Sequence, residues 1–351
     1  MTDWRDESVA SLDEAAAEAA RARQAQLTKP PGALGRLEWL AERLAAMQGR
    51  PDPWVERVEV ALFAADHGVA AEGVSAFPQA VTAEMVRNFA RGGAAVCVLA
   101  RELGAGLTVY DLGTMVELEP LPGVVSRRIA PGSANLAQGS AMDEGQLLRA
   151  MAVGREAVEA ALERGAELFV AGEMGIGNTT AATAVVCAVF DAAPQEFAGP
   201  GTGLDRSGVA HKARVVQRAL NRARAAIDGP WDVLRELGGF ELAAIAGAYL
   251  RCAQRGLPYL VDGFIASAAL LVLAQARPQV LDWALFGHAS AEPAHRRVLS
   301  ALQARPLLDL EMRLGEGSGA LTAVPLLRLA CALHNGMATF AEAGVSSGGD
   351  D

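Results

Sequence analysis

Lysine is nearly absent from these 351 residues: of 31 basic side chains only Lys29 and Lys212 are lysine, and the other 29 are arginine. That scarcity marks the two positions, because a compact ammonium and a planar guanidinium hold anions differently. Aromatic residues are scarce too, 5% against 51% apolar overall, so the core must be built largely from Ala, Leu and Val on helices. No charge-free apolar run reaches the ~18 residues that a membrane-spanning helix needs. The longest, GFIASAALLVLAQA from Gly263, reads as a buried helix. The opening MTDWRDESV is acidic where a secretory leader is basic. These absences predict a soluble, cytoplasmic protein with no membrane partner.

Basic clusters are missing as well. The net charge is −10 and the pI near 5.1, which excludes the phosphate-backbone contacts that nucleic-acid binding requires. Cys97, Cys187, Cys252 and Cys331 are far apart, without a Cys-x-x-Cys pair, and sit among apolar neighbours as reduced core thiols would. The five histidines have no zinc-type spacing; His288 and His295, seven apart, read as solvated or hydrogen-bonded groups. No metal and no cofactor is expected.

What is present is an alternation. Up to about residue 50 the pattern is helical: DEAAAEAARARQAQL stops at Pro30-Pro31-Gly32, and a second helix follows with Leu34, Leu37, Leu40, Leu44 and Met47 on one face. Beyond it, short apolar runs at 58–68, 106–113, 167–175, 257–264 and 281–290 alternate with helical stretches. Strands separated by helices predict a mostly parallel sheet covered on both faces. In such sheets ligands bind beyond the C-terminal strand ends. The residues there are Asp66-His67-Gly68, Asp111, Glu173, Asp262 and His288. No internal repeat is visible, and the tail VSSGGDD is expected to fray.

Three glycine-rich stretches carry the chemistry. The first, GEMGIGNTTAATA (172–184), follows a strand and opens a helix, the arrangement in which backbone N–H groups cradle a phosphate. Gly172 and Gly177 have the spacing of a nucleotide P-loop, but Asn178 stands where that motif places lysine, so the turn is not built for β- and γ-phosphates. Nor does a paired Asp-Asp follow a strand, as Mg²⁺-dependent use of phosphoribosyl diphosphate normally requires. The turn suits a monophosphate, held by Gly175, Ile176, Gly177 and Asn178 and the hydroxyls of Thr179 and Thr180, with Lys212 as a point charge. The second stretch, from Gly199, includes Gly203 and leads to His211 and Lys212; the third, from Met312, sets Glu316 between glycines. The residues alone leave three readings open: a glycosyl transfer, a metal-independent sugar-phosphate isomerase or hydrolase, and a non-catalytic nucleotide-binding protein.

LTKPPGALGRLE (27–38), ADHGV (65–69), GEMGIGNTTAA (172–182), GTGLD…HK (201–212), GGFELAAIAG (238–247), LVDGFI (260–265) and RLGEGSGA (313–320) together resemble the nicotinate-nucleotide–dimethylbenzimidazole phosphoribosyltransferase family, in order and over almost the whole chain. The resemblance implies transfer of the ribose phosphate of nicotinate mononucleotide to dimethylbenzimidazole, giving α-ribazole phosphate and nicotinate for cobalamin assembly. It implies an α/β, Rossmann-like sheet domain (51–304), a small helical domain from both chain ends (1–50 and 305–351), and a homodimer. Glu316 matches the family's proton acceptor. Glu173 is then expected at the ribose, Asp66 on the same rim, and Phe77 and Met85 around the acceptor base, with Leu314 an apolar neighbour that raises the pKa of Glu316 and a further candidate substrate contact.

Overall fold

The computed structural model describes residues 3–346; the expectation of a frayed tail falls largely on 347–351, outside the described residues. Among the described residues six strands form one sheet: β1 (Val58–Ala65), β2 (Gly106–Gly113), β3 (Val124–Ser126), β4 (Leu168–Met174), β5 (Tyr259–Val261) and β6 (Ala284–Phe286). All pairings are parallel, in the order β3-β2-β1-β4-β5-β6, the doubly wound Rossmann order. Leu62 of β1 lies between Val109 of β2 and Gly172 of β4. The sequence reading anticipated five of these strands. β3 escaped it because three residues at a sheet edge leave no periodicity to read.

The helices are α1 (Glu14–Gln26), α2 (Arg36–Gln48), α3 (Ala80–Ala90), α4 (Ala95–Leu103), α5 (Glu144–Glu163), α6 (Asn178–Phe190), α7 (Arg206–Ala223), α8 (Pro230–Leu237), α9 (Phe240–Arg255), α10 (Phe264–Ala276), α11 (His295–Ala301), α12 (Ser318–Gly336) and α13 (Phe340–Ala343). Their starts follow side-chain chemistry. Asp13 caps α1 by accepting from Ala16 N at 2.9 Å, and Asp143 with Gln146 forms a capping box on α5. Small residues then set the packing. A Cβ on Gly154 of α5 would strike the Ala244 carbonyl of α9, and one on Gly247 would lie 2.7 Å from Met151 Cα, so the two helices cross almost backbone to backbone.

The chain ends meet. Arg23 of α1 donates to the carbonyls of His334, Asn335 and Met337, and Leu27 bridges to Thr339. α12 also packs on α2, α4 and β4, and the buried apolar side chains run without a break from Leu40 and Leu44 of α2 through the sheet. Phe63 and Phe169, both fully buried, contribute ~1.5–3 kcal/mol each by leaving water. No helix of the described residues is long and apolar enough to cross a membrane. All four cysteines are buried and unpaired.

Candidate functional site

The strand order reverses between β1 and β4, and the crevice above their C-terminal ends is where such a sheet takes a ligand. A cavity of about 280 Å³ opens there, close to the ~300 Å³ lower end of small-molecule sites. Three turns wall it.

The first turn links β4 to α6. Gly177 (φ +103°) precedes α6, which has no side-chain N-cap, so the positive end of the helix dipole is left for a ligand. Gly175, Ile176, Asn178 and Thr179 line the cavity. The turn is fixed from behind: Ile176 N–H donates to Thr82 Oγ1 (3.1 Å), and Thr82 donates to Asp66 (2.6 Å). Successive helical residues point ~100° apart, so Thr179 and Thr180 meet different surroundings. Thr179 lines the cavity; the Thr180 hydroxyl, expected beside it, is buried off the wall with no hydrogen-bond partner among the described residues. Lys212, fully buried on α7, donates to Thr179 Oγ1 (2.8 Å) and the Gly199 carbonyl (3.3 Å). Burial draws its pKa down to about 8 against the upward pull of nearby Glu292. It therefore stands behind Thr179 rather than in the wall.

The second turn contributes Gly201 and Thr202 to the wall, whereas Gly203 (φ +117°) lies off it. Glu292 accepts from Gly201 N (3.1 Å), Arg313 donates to Gly201 O (2.9 Å), and Thr202 Oγ1 accepts from Ala76 N (3.2 Å). Glu292, Arg313 and Ser290 line the cavity and escaped the sequence reading, as did Thr82 behind it. Ser290, Glu292 and Thr82 stand singly, outside any glycine-rich signature; Arg313 opens the third one, RLGEGSGA, where a lone arginine carries no signal of its own.

The third turn is the most strained. Gly315, Glu316 and Gly317 take φ of +86°, +65° and +84° in succession. A left-handed conformation costs a non-glycine residue ~1–2 kcal/mol, so the acid is held there by its surroundings. A Cβ on Gly172 of β4 would collide with the Glu316 carbonyl, which is how closely the turn sits on the sheet. The Glu316 carboxylate is buried and accepts from Val96 N (3.4 Å) at the start of α4. Burial raises its pKa, Val96 opposes this, and the charge of Asp262 adds to the rise. Gly315 and Leu314 line the cavity, but the Glu316 side chain is turned from it toward α4.

Glu173, at the end of β4, does line the cavity. It accepts from Asn178 Nδ2 and from the Glu316 backbone. Burial, then the charges of Asp262, Glu241 and Glu316, lift its pKa well above the ordinary carboxylate range. Asp262, another cavity residue, accepts from Gly317 N (3.2 Å) and Ala320 N (2.8 Å) and so caps α12 across space. Three buried carboxyl groups thus share one corner.

The remaining expected residues divide. Phe77, 52% exposed, borders the cavity. Leu314, 59% exposed, cannot shield Glu316, whose burial comes from the sheet and α4. Met85 on α3 lies outside the cavity lining, its sulfur 3.9 Å from Asn88 Nδ2. Asp66 is buried behind the wall, accepting from Thr82 and from Met115 N (2.7 Å). Asp111 braces Gly113 and Thr114.

A doubly wound sheet with an open helix terminus facing buried acids at its switch point defines an α/β enzyme that holds an anionic substrate. The chain belongs to the phosphoribosyltransferase family, whose sequence profile matches residues 9–345. It is 60% identical over 343 residues to a nicotinate-nucleotide–dimethylbenzimidazole phosphoribosyltransferase of Pseudomonas aeruginosa (strain UCBPP-PA14), covering 98% of this chain and 97% of that protein. A protein of the same name from Xanthomonas euvesicatoria pv. vesicatoria (strain 85-10) is 59% identical over 345 residues, covering 98% and 99%. The crystal structure of CobT from Thermus thermophilus superposes with a TM-score of 0.91 at 50% identity, over 95% of this chain and all of that one.

Proposed function

We propose that this chain transfers the ribose phosphate of nicotinate mononucleotide to dimethylbenzimidazole, releasing nicotinate and forming α-ribazole phosphate for cobalamin assembly. The observation that carries the reading is the convergence of three turns on one cavity, an uncapped helix terminus on one side and buried carboxyl groups on the other. Relatives sharing 59–60% identity over nearly their whole length bear the corresponding name.

The α6 terminus and the Thr179 hydroxyl receive the phosphate, with the Lys212 charge behind them. The glycosidic electrons pass to the pyridinium nitrogen, so nicotinate leaves with a neutral ring nitrogen and needs no general acid. One imidazole nitrogen of the acceptor bonds to the ribose carbon from the opposite face, which inverts it. Positive charge builds on the acceptor ring, and its other N–H proton goes to Glu316, which swings from Val96 toward the cavity. Glu173 serves differently. Facing the cavity, it hydrogen-bonds a ribose hydroxyl, so that the two neighbouring carboxyl groups take separate roles. Gly203 backs the second turn, and Phe77 and Leu314 flank the acceptor, with Met85 a shell further out.

We further propose a homodimer in the cytoplasm and a helical terminal unit (1–50 and 305–351) distinct from the sheet domain at 51–304. Light scattering of the purified chain tests the dimer. The activity is tested by incubating both substrates and assigning the product by NMR. An α-linked ribazole phosphate supports the proposal; a β-linked product, or ribose phosphate alone, refutes it.

A further inference from the structure

Among the buried polar groups that the proposed reaction leaves unused is a histidine–glutamate couple beneath the first turn. His67, two residues past the end of β1, and Glu241, on the first turn of α9, are both closed to solvent and outside the cavity. The ring Nε2 lies 2.7 Å from Glu241 Oε1, and the carboxylate accepts its N–H. The other two polar atoms, His67 Nδ1 and Glu241 Oε2, have no hydrogen-bond partner among the described residues. Burying such a couple, with two atoms unsatisfied, carries a desolvation penalty that an apolar pair of the same volume would avoid. Fold stability therefore does not account for it.

Its surroundings do. A Cβ on Gly175 would lie 3.4 Å from His67 Cδ2, and one on Gly177 3.0 Å from His67 Cβ. A Cβ on Gly239, the residue before α9, would lie 3.0 Å from His67 Nδ1 and 2.8 Å from Glu241 Oε2. Three glycines thus enclose the couple, and two belong to the turn that opens α6. The imidazole is the floor on which that turn rests. A glycine turn is intrinsically soft, and an apolar ring in the same space would have nothing to fix its tilt. The hydrogen bond to Glu241 ties the ring, and with it the turn, to the start of α9.

We propose that His67 and Glu241 are a positioning couple that holds the Gly175–Asn178 turn in the shape that receives the substrate's phosphate. The inference rests on the reading of that turn as the phosphate subsite. Neither residue touches substrate; the couple acts through the backbone above it.

The test compares binding of nicotinate mononucleotide with that of nicotinate riboside, the same molecule without its phosphate, by calorimetry on the full chain. Glu241→Met and His67→Leu remove the hydrogen bond from either side at similar volume. Glu241→Gln retains an acceptor for the ring N–H and is the conservative control. Both disruptive variants are expected to weaken nucleotide binding about 10–100-fold, the size of effect seen when the hydrogen-bonded partner behind a metal-ligating histidine is lost. Riboside affinity and the KM for dimethylbenzimidazole should stay unchanged, and Glu241→Gln should remain close to the native protein. An unchanged nucleotide-to-riboside ratio in a folded variant overturns the proposal. So does failure of both disruptive variants to fold, which would make the couple a folding element. If the native protein itself binds both ligands equally, the phosphate subsite reading falls instead.

Discussion

Glu316→Gln isolates proton acceptance from everything else the acid does. The amide has the same volume and still accepts from Val96 N, so the strained turn and its seat on Gly172 persist. What disappears is the basic oxygen. General-base action is worth ~10²–10⁴ in rate, or about 3–5 kcal/mol of barrier, and kcat should fall by that factor while the KM for the nucleotide holds. The sign of the stability change follows from the raised pKa. A carboxyl whose folded pKa lies above its unfolded one stabilises the fold below the unfolded value, and that contribution is lost as pH rises through the folded value. At neutral pH the native chain carries the penalty and the variant does not, so the variant's Tm should equal or exceed the native one, the difference closing toward pH 4. The assay is nicotinate release by chromatography at saturating acceptor, from pH 5 to 8, beside thermal melts. A loss of less than ~10-fold, with the fold intact, would refute the reasoning. A change confined to KM would do the same.

Lys212 has a pKa drawn down to about 8, so its charge behind Thr179 fades above that pH. The KM for the nucleotide should rise between pH 7 and 9, and Lys212→Met should raise it throughout and abolish that dependence. Glu173→Gln keeps an acceptor for Asn178 and the Glu316 amide, so its Tm should stay near native while the nucleotide KM rises or kcat falls. Glu173→Ala leaves those donors unpaired and should lose ~1–3 kcal/mol in denaturant titration. Gly172→Ala drives a methyl into the Glu316 carbonyl; overpacking of this kind costs ~1–3 kcal/mol, and both Tm and kcat should drop together.

Some of this molecule was legible before its coordinates. Five strands announced themselves as apolar runs ending in glycine or a polar cluster, and parallel pairing followed from the helices between them. No one glycine-rich turn stands out alone; the three together, two with an embedded acid and one with a rare lysine, mark a site, and the chain matches one family. Side-chain direction was not legible. Which of Thr179 and Thr180 faces the cavity depends on helical phase, and Lys212 lies behind the wall because α7 packs against α6. Ser290, Glu292 and Arg313 enter the site through tertiary contacts between segments far apart in the chain. Asp66 and Asp111 carried the right residue type at the right strand ends, yet their hydrogen bonds go to loop backbone and, for Asp66, to Thr82.

The central claim is a transfer, in which the acceptor's attack releases nicotinate. It is met most directly by timing nicotinate release from nicotinate mononucleotide with dimethylbenzimidazole present and absent. The account predicts release matching α-ribazole phosphate one for one, and essentially none without the acceptor. Release at the same rate in its absence would mean that water is the true acceptor and the enzyme a hydrolase.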